Sequence, residues 1–170
     1  MRNADGVSVA LDFREEAPAS AYRDMFQNVS SEKGGRSVAI PGELRGLHHM
    51  HKKYGILPWS RLFKPSITLA REGWRVNRIL ASRIEVANDT ILGDMEFQKV
   101  FAPTGKLLVE GDLIKREVYA DTLEIIANSG IDEFYNVFII VLIKGHNCKR
   151  IGFFYKQKWW KYDNVRFFSL

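Results

Sequence analysis

A change of composition near residue 136 limits where a regular fold can form in this chain of 170 residues. Residues 137–170 contain seven basic residues and one acidic residue, together with nine of the 21 aromatic residues. These aromatic residues stand in runs such as FFY, WW and FF, which fit neither the helical period nor the strand period. Large apolar residues without a period specify one fold poorly. We therefore predict that the folded domain lies in residues 1–136.

Three interpretations of the tail, residues 137–170, are open. The first is non-native sequence or disorder, which the composition favours because A/T-rich codons read without selection enrich Phe, Lys, Asn, Tyr and Ile. The second is an unusual but packed terminus. The third is a basic and aromatic segment that stacks on bases or lies at a membrane surface. The net charge of +5 resides in this tail, since residues 1–136 carry 18 basic and 19 acidic residues.

Composition and short motifs exclude several classes of protein. The single cysteine, Cys148, excludes an internal disulfide framework and a cysteine-based zinc site. No apolar run approaches the roughly 18 residues that span a bilayer, and we expect no signal peptide because the first residues lack an apolar core. Glycine-rich phosphate loops (GxGxxG, GxxxxGK[ST]) and the GxSxG nucleophile elbow do not occur in the sequence.

Apolar periodicity predicts a helix-rich body with few strands. Alternation of apolar residues predicts a strand at 7–13, and shorter strands are predicted at 37–40 and 107–109. Helices are predicted at 18–26, 43–54, 59–63, 65–72, after an Asn77 cap, at 94–101 and at 116–128. Two or three short strands do not form a stable sheet alone. The strand predicted at 7–13 therefore lacks enough partners for a stable sheet within the body.

Candidate site residues are few. Arg14 leaves the first predicted strand beside a tight loop, where a guanidinium can hold a carboxylate with two parallel hydrogen bonds. The alternative is a surface arginine paired with Glu15 or Glu16. His48, His49 and His51 cluster on one helix, but a metal site needs further ligands, and we predict none. Asn28 and Asn88 begin N-x-[ST] triplets and are candidate N-glycosylation sites.

Three segments, read in order, resemble γ-glutamyltransferase, also called glutathione hydrolase. They are DFREEAPASAYRDMF (12–26), GGRSVAIPGELRGLHHMHKKYGILPWSRLFKPSITLAREGW (34–74) and YADTLEIIANSGIDEFYN (119–136). The resemblance covers about residues 1–136. It implies a helix-rich fragment of an N-terminal-nucleophile hydrolase, a four-layer αββα sandwich of which this chain holds little of the sheet.

The resemblance also implies a chemistry. Members of the family cleave themselves into a large and a small subunit, and the threonine that begins the small subunit attacks the γ-glutamyl amide of glutathione. Water or an amino acid or peptide acceptor then takes the γ-glutamyl group, and no cofactor or metal is needed. Arg14, in FREEAP, matches the family arginine that binds the α-carboxylate of the γ-glutamyl group. Pro41-Gly42-Glu43 and Leu57-Pro58-Trp59 are read as scaffold.

Departures from the family pattern lead to further expectations. The family begins earlier, with a signal or membrane anchor, and continues after FYN in a way that residues 137–170 do not follow. We therefore expect this chain to be an internal piece of the large subunit. It should contain no catalytic residue and be catalytically incompetent by itself. Its expected partner is the small subunit of an intact precursor. Family members reside in the secretory pathway, at the cell exterior or in the vacuole, and we expect no nucleic-acid partner.

Two other functions are open on the sequence alone. One is a non-catalytic binding module whose basic and aromatic tail contacts a membrane or nucleic acid, with an attraction that weakens in salt. The other is a regulatory subunit that pairs with an intact relative through an exposed apolar face.

Overall fold

A computed structural model describes residues 6, 8–18, 21–32 and 37–135, and the backbone of residues 166–169. The chain divides into two compact units. One, here called the discontinuous unit, comprises residues 1–56 and 130–170, and the other, the central unit, comprises residues 57–129. Within the described part of the chain, no helix is long and apolar enough to cross a membrane.

The discontinuous unit contains short strands and one long helix. Its elements are β1 (Val9–Asp12), β2 (Glu15–Glu16), β3 (Ile40–Pro41), α1 (Glu43–Tyr54), α7 (Ile131–Glu133) and β6 (Arg166–Ser169). β1 pairs antiparallel with β6, with Val9 opposite Ser169 and Asp12 opposite Arg166. β2 pairs antiparallel with β3, with Glu15 opposite Pro41. Of the predicted tail 137–170, the structure describes β6 alone, so the predicted domain boundary at residue 136 lies outside the described residues.

The central unit is mainly helical. Its elements are α2 (Trp59–Glu72), β4 (Trp74–Arg75), α3 (Arg78–Val86), α4 (Asn88–Leu92), α5 (Met95–Phe101), β5 (Leu113–Ile114) and α6 (Glu117–Ser129). β4 pairs antiparallel with β5, with Trp74 opposite Ile114. The apolar core comprises Val76, Ile84, Ile91, Ala102, Leu108 and Ile114. Since burial of such side chains is the main source of folding free energy, this cluster stabilises the unit.

Helices α2 and α6 form the main helix pair of the central unit. Ala70 on α2 and Ala120 on α6 are buried, and small residues permit a close approach. Trp59 donates its indole N–H to the carbonyl oxygen of Ile126, at 3.4 Å. That carbonyl lies in the last turn of α6, where backbone acceptors have no partner within the helix. Trp59 is therefore scaffold, as its motif suggested.

Several predicted elements occur as expected. The helix over 43–54 is confirmed, α5 begins one residue later than predicted, and α6 begins and ends one residue later than predicted. The Asn77 side chain caps α3 by accepting a hydrogen bond from the Leu80 amide at 2.9 Å. Gly73 ends α2 with a φ of 90°, in the region that favours glycine.

Other predictions are wrong, for identifiable reasons. The predicted helix at 18–26 does not form: residues 21–32 contain turns and no helix, and Tyr22 is 63% exposed. The predicted helices 59–63 and 65–72 are one helix, because Pro65 lies on its exposed side, where water can solvate the carbonyl left without a donor. Residues 107–109 do not form a strand, since Leu108 donates to Phe101 and Val109 donates to the Asp112 carboxylate.

Candidate functional site

Arg14 lies on the short connection between β1 and β2, at the end of an apolar strand. Its backbone carbonyl accepts a hydrogen bond from the Gly42 amide, and the two atoms are 2.6 Å apart. The following residue, Glu15, is paired with Pro41 across β2 and β3. The backbone at Arg14 is thus fixed from both sides by the segment that leads into α1.

Two glycines allow the strand to approach α1 this closely. A Cβ atom at Gly42 would overlap the carbonyl oxygens of Phe13 and Arg14, and a Cβ atom at Gly46 would overlap the Phe13 ring. The two glycines are four residues apart, so they lie on one face of the helix. Gly42 has a φ of −88°, which any residue adopts. The glycine is therefore required for space, not for an unusual backbone conformation.

The Arg14 side chain is 86% exposed and forms an ion pair with Glu15, with 2.8 Å between Nε and Oε2. The alternative interpretation of the sequence, a surface arginine paired with its neighbour, is therefore present in the structure. The two interpretations are compatible, because the pair is made through Nε. A guanidinium carries four further N–H groups on its two terminal nitrogens, which suit a carboxylate that arrives end-on.

Tyr135 holds the segment that precedes α1. Its hydroxyl donates to the carbonyl oxygen of Pro41 at 2.7 Å and accepts from the Arg45 amide at 3.3 Å. The Arg45 guanidinium stacks on the Tyr135 ring, 4.2 Å from its centroid. Arg45 also lies 3.4 Å from the carboxylate of Asp132 on α7. Residues separated by 94 positions in the chain thus meet beside the Arg14 connection.

Burial raises the pKa of the Tyr135 phenol, and the nearby Glu43 carboxylate acts in the same direction. The Arg45 amide and guanidinium act in the opposite direction but are the weaker influence. The phenol therefore stays protonated at neutral pH and remains a hydrogen-bond donor to Pro41.

The other predicted site residues lie on other segments of the chain. The pKa of His48 on α1 is lowered, first by burial and then by Lys52 and His51. Across the described residues, no group of three His, Cys, Asp or Glu side chains could hold a metal ion. Asn28 lies in an exposed turn and Asn88 is the exposed first residue of α4. Cys148 lies outside the described residues.

Sequence reasoning missed Tyr135 and Arg45 as parts of this site. Both lie inside motifs that carry the family resemblance, Arg45 in GELRG and Tyr135 in FYN. Local periodicity cannot show that two segments so far apart in the chain share a hydrogen bond. The available signal was that glycine, arginine and tyrosine occur in those motifs, although local sequence patterns assign them no structural role.

Comparison with known proteins identifies the class. A family model described as gamma-glutamyltranspeptidase matches residues 1–145. The glutathione hydrolase proenzyme of Arthroderma benhamiae is 45% identical over 141 residues, covering 79% of this chain and 24% of the relative. Glutathione hydrolase proenzyme 2 of Schizosaccharomyces pombe is 40% identical over 138 residues, covering 79% of this chain and 23% of the relative.

A solved structure agrees with these relatives. The gamma-glutamyltranspeptidase of Helicobacter pylori matches with a TM-score of 0.78 and 35% identity, over 85% of this chain and 44% of that chain. The chain belongs to the gamma-glutamyltranspeptidase family. It spans about a quarter of the length of these curated relatives. The predicted resemblance is confirmed, and so is the fold class, a helix-rich α+β fragment of an N-terminal-nucleophile hydrolase.

Proposed function

We propose that this chain supplies part of the donor-substrate site of a glutathione hydrolase or γ-glutamyltransferase. The reaction is cleavage of a γ-glutamyl amide, with transfer of the acyl group to water or to an amino acid or peptide acceptor. The family match over residues 1–145 supports this assignment. Arg14 binds the α-carboxylate of the donor. The chain's partner in the intact precursor is the small subunit, which carries the threonine nucleophile.

The observation that carries the proposal is an exposed guanidinium on a fixed backbone. The amide of Gly42 anchors the Arg14 carbonyl, while the side chain projects to solvent. A carboxylate that approaches the terminal nitrogens forms two charge-assisted hydrogen bonds, which fix the orientation of the γ-glutamyl group as well as its charge. Such orientation places the amide carbon for nucleophilic attack.

A chimera tests the assignment. Residues 1–136 replace the matching segment of Schizosaccharomyces pombe glutathione hydrolase proenzyme 2, and cleavage of γ-glutamyl-p-nitroanilide is followed. Arg14→Gln should lower kcat/KM about 10- to 100-fold, since hydrogen bonds to charged groups contribute about 1.5–3 kcal/mol. Arg23→Gln is the matched control, because Arg23 is 96% exposed with a loose ion pair to Asp24. Equal activities of the two variants would overturn the proposal.

The chain alone gives a second test. We expect the purified 170-residue protein to show no turnover of γ-glutamyl-p-nitroanilide, since its matched segment contributes binding and not the nucleophile. Steady turnover that survives further purification would contradict this expectation.

We also propose a location in the secretory pathway, at the cell surface or in the vacuole. The exposed positions of Asn28 and Asn88 support it, because oligosaccharides attach to accessible asparagine in N-x-[ST] triplets. Expression through a eukaryotic secretory route should give a mobility shift that glycosidase treatment removes. Asn28→Gln and Asn88→Gln should each reduce the shift, and a shift unaffected by both substitutions would refute these sites.

A further inference from the structure

We propose that Tyr135 is a positioning residue for Arg14, and thereby for recognition of the donor's α-carboxylate. This inference rests on the proposed function. It concerns the backbone beneath Arg14 and not a direct contact with substrate. Tyr135 acts through Pro41 and Gly42, the two residues that lead into α1.

The first step of the argument is the continuity of the hydrogen bonds. The Tyr135 hydroxyl donates to the Pro41 carbonyl oxygen at 2.7 Å. The next residue along the chain, Gly42, donates its amide to the Arg14 carbonyl oxygen at 2.6 Å. The Pro41 carbonyl and the Gly42 amide belong to the same peptide group. Because that group is planar, holding its oxygen also fixes the direction of its N–H.

The second step is the rigidity of Tyr135 itself. The residue is 9% exposed, and the Arg45 guanidinium stacks on its ring. The Arg45 amide donates to its hydroxyl, so the hydroxyl proton is directed toward Pro41. An ordered donor costs little entropy when it holds a neighbouring group, which suits a positioning contact.

The third step is that Arg14 has few other means of orientation. Its side chain is 86% exposed, and the ion pair that it makes is with its neighbour Glu15. The direction of the guanidinium therefore depends on the backbone at Arg14. A shift of the Pro41–Gly42 peptide group would move that backbone directly.

Binding by the full 170-residue chain tests the inference. The probes are γ-L-glutamylmethylamide and its α-carboxamide counterpart, titrated against the ¹⁵N-labelled protein while the Arg14 Nε–H signal is followed. We expect tighter binding of the carboxylate probe. Tyr135→Phe should reduce the carboxylate preference about 2- to 10-fold, the range of one intramolecular hydrogen bond. It should also speed hydrogen exchange of the Gly42 amide.

Tyr119→Phe is the matched control, because the Arg116 guanidinium also lies 4.2 Å above the Tyr119 ring, but in the central unit. It should leave the preference and the Gly42 exchange unchanged. Gly42→Ala is a second variant that strains the Arg14 carbonyl contact without touching Tyr135, and it should reduce the preference in the same direction. Amides of α1 report whether the discontinuous unit of each variant is folded.

Different outcomes would overturn the proposed function and the positioning role of Tyr135. An unchanged preference in folded Tyr135→Phe and Gly42→Ala, together with a loss in Arg14→Gln, overturns the positioning role and leaves the proposed function standing. A preference that Arg14→Gln does not reduce overturns the proposed function and the inference with it. A preference that is undetectable in the unsubstituted chain overturns the inference, whereas the chimera decides the proposed function.

Discussion

The interactions that stabilise the central unit differ in kind from those around Arg14 in the discontinuous unit. The central unit, a continuous stretch of chain, buries a cluster of aliphatic residues that includes Val76 and Ile114, each 1% exposed. Around Arg14, the discontinuous unit relies on glycine contacts and on hydrogen bonds of Tyr135 and Gly42. Its anchoring segments are separated by 94 positions in the chain.

The two kinds of interaction contribute differently to the stability of the fold and to the precision of the site geometry. A buried aliphatic side chain contributes roughly 1.5–3 kcal/mol, and a hydrogen bond adds about 0.5–1.5 kcal/mol net. Hydrogen bonds are directional, however, and apolar contacts are not. We therefore expect substitutions in the central unit to lower the free energy of unfolding most, and substitutions around Arg14 to alter recognition at a smaller cost in stability.

Ile114→Ala should have the largest effect on stability. Removal of a buried aliphatic side chain costs about 2–5 kcal/mol, because a cavity remains. Denaturant unfolding measures the change. Ile79→Ala is the control, since Ile79 is 73% exposed and its truncation should change the free energy of unfolding by less than about 0.5 kcal/mol. Similar losses in the two variants would show that the aliphatic cluster does not dominate.

Gly46→Ala should destabilise the discontinuous unit by about 1–3 kcal/mol, the usual cost of overpacking. The new methyl group would overlap the Phe13 ring, although alanine is the better helix former by about 1 kcal/mol. A double-mutant cycle with Phe13→Leu should show coupling, because a smaller side chain makes room. Strict additivity of the two substitutions would exclude the close contact.

Asn77→Ala should cost about 1 kcal/mol by removing the cap of α3. Asn88→Ala is the control, because α4 has Ala87 at its N-cap and no side-chain cap. Thermal unfolding of the two variants compares them. An equal loss in both would mean that the Asn77 hydrogen bond contributes nothing.

Tyr135 should make the protein sensitive to alkaline pH. Its pKa is raised in the folded state, so the folded protein holds the phenolic proton more tightly than the unfolded chain does. The associated stability is fully present below about pH 10, the unperturbed value, and is lost as the pH rises through the raised pKa. Denaturant unfolding between pH 8 and pH 11 should show a decline that is smaller in Tyr135→Phe. Parallel pH profiles would contradict this.

Much of the local structure could be predicted from the sequence, where one short segment contains its own signals. The helix over 43–54 has a periodic apolar face, and α3 and α5 begin after Asn77 and Asp94, both of which cap with their side chains. The predicted helix at 18–26 is wrong, since its apolar residues include Tyr22, which remains exposed. Pattern alone could not show whether a partner surface would cover that face.

For the candidate site, too, the sequence indicated one part and the tertiary structure decided the other. Three sequence segments, read together, indicated the family and the chemistry that it implies. The position of Arg14 at the end of a strand made it a candidate residue, because a guanidinium suits a carboxylate. Only the tertiary structure decided that Gly42 and Gly46 are needed for space and that Tyr135 holds the peptide group beneath Arg14. Residue types and short-range periods are written in the sequence, whereas a hydrogen bond across 94 positions exists only after the chain has folded.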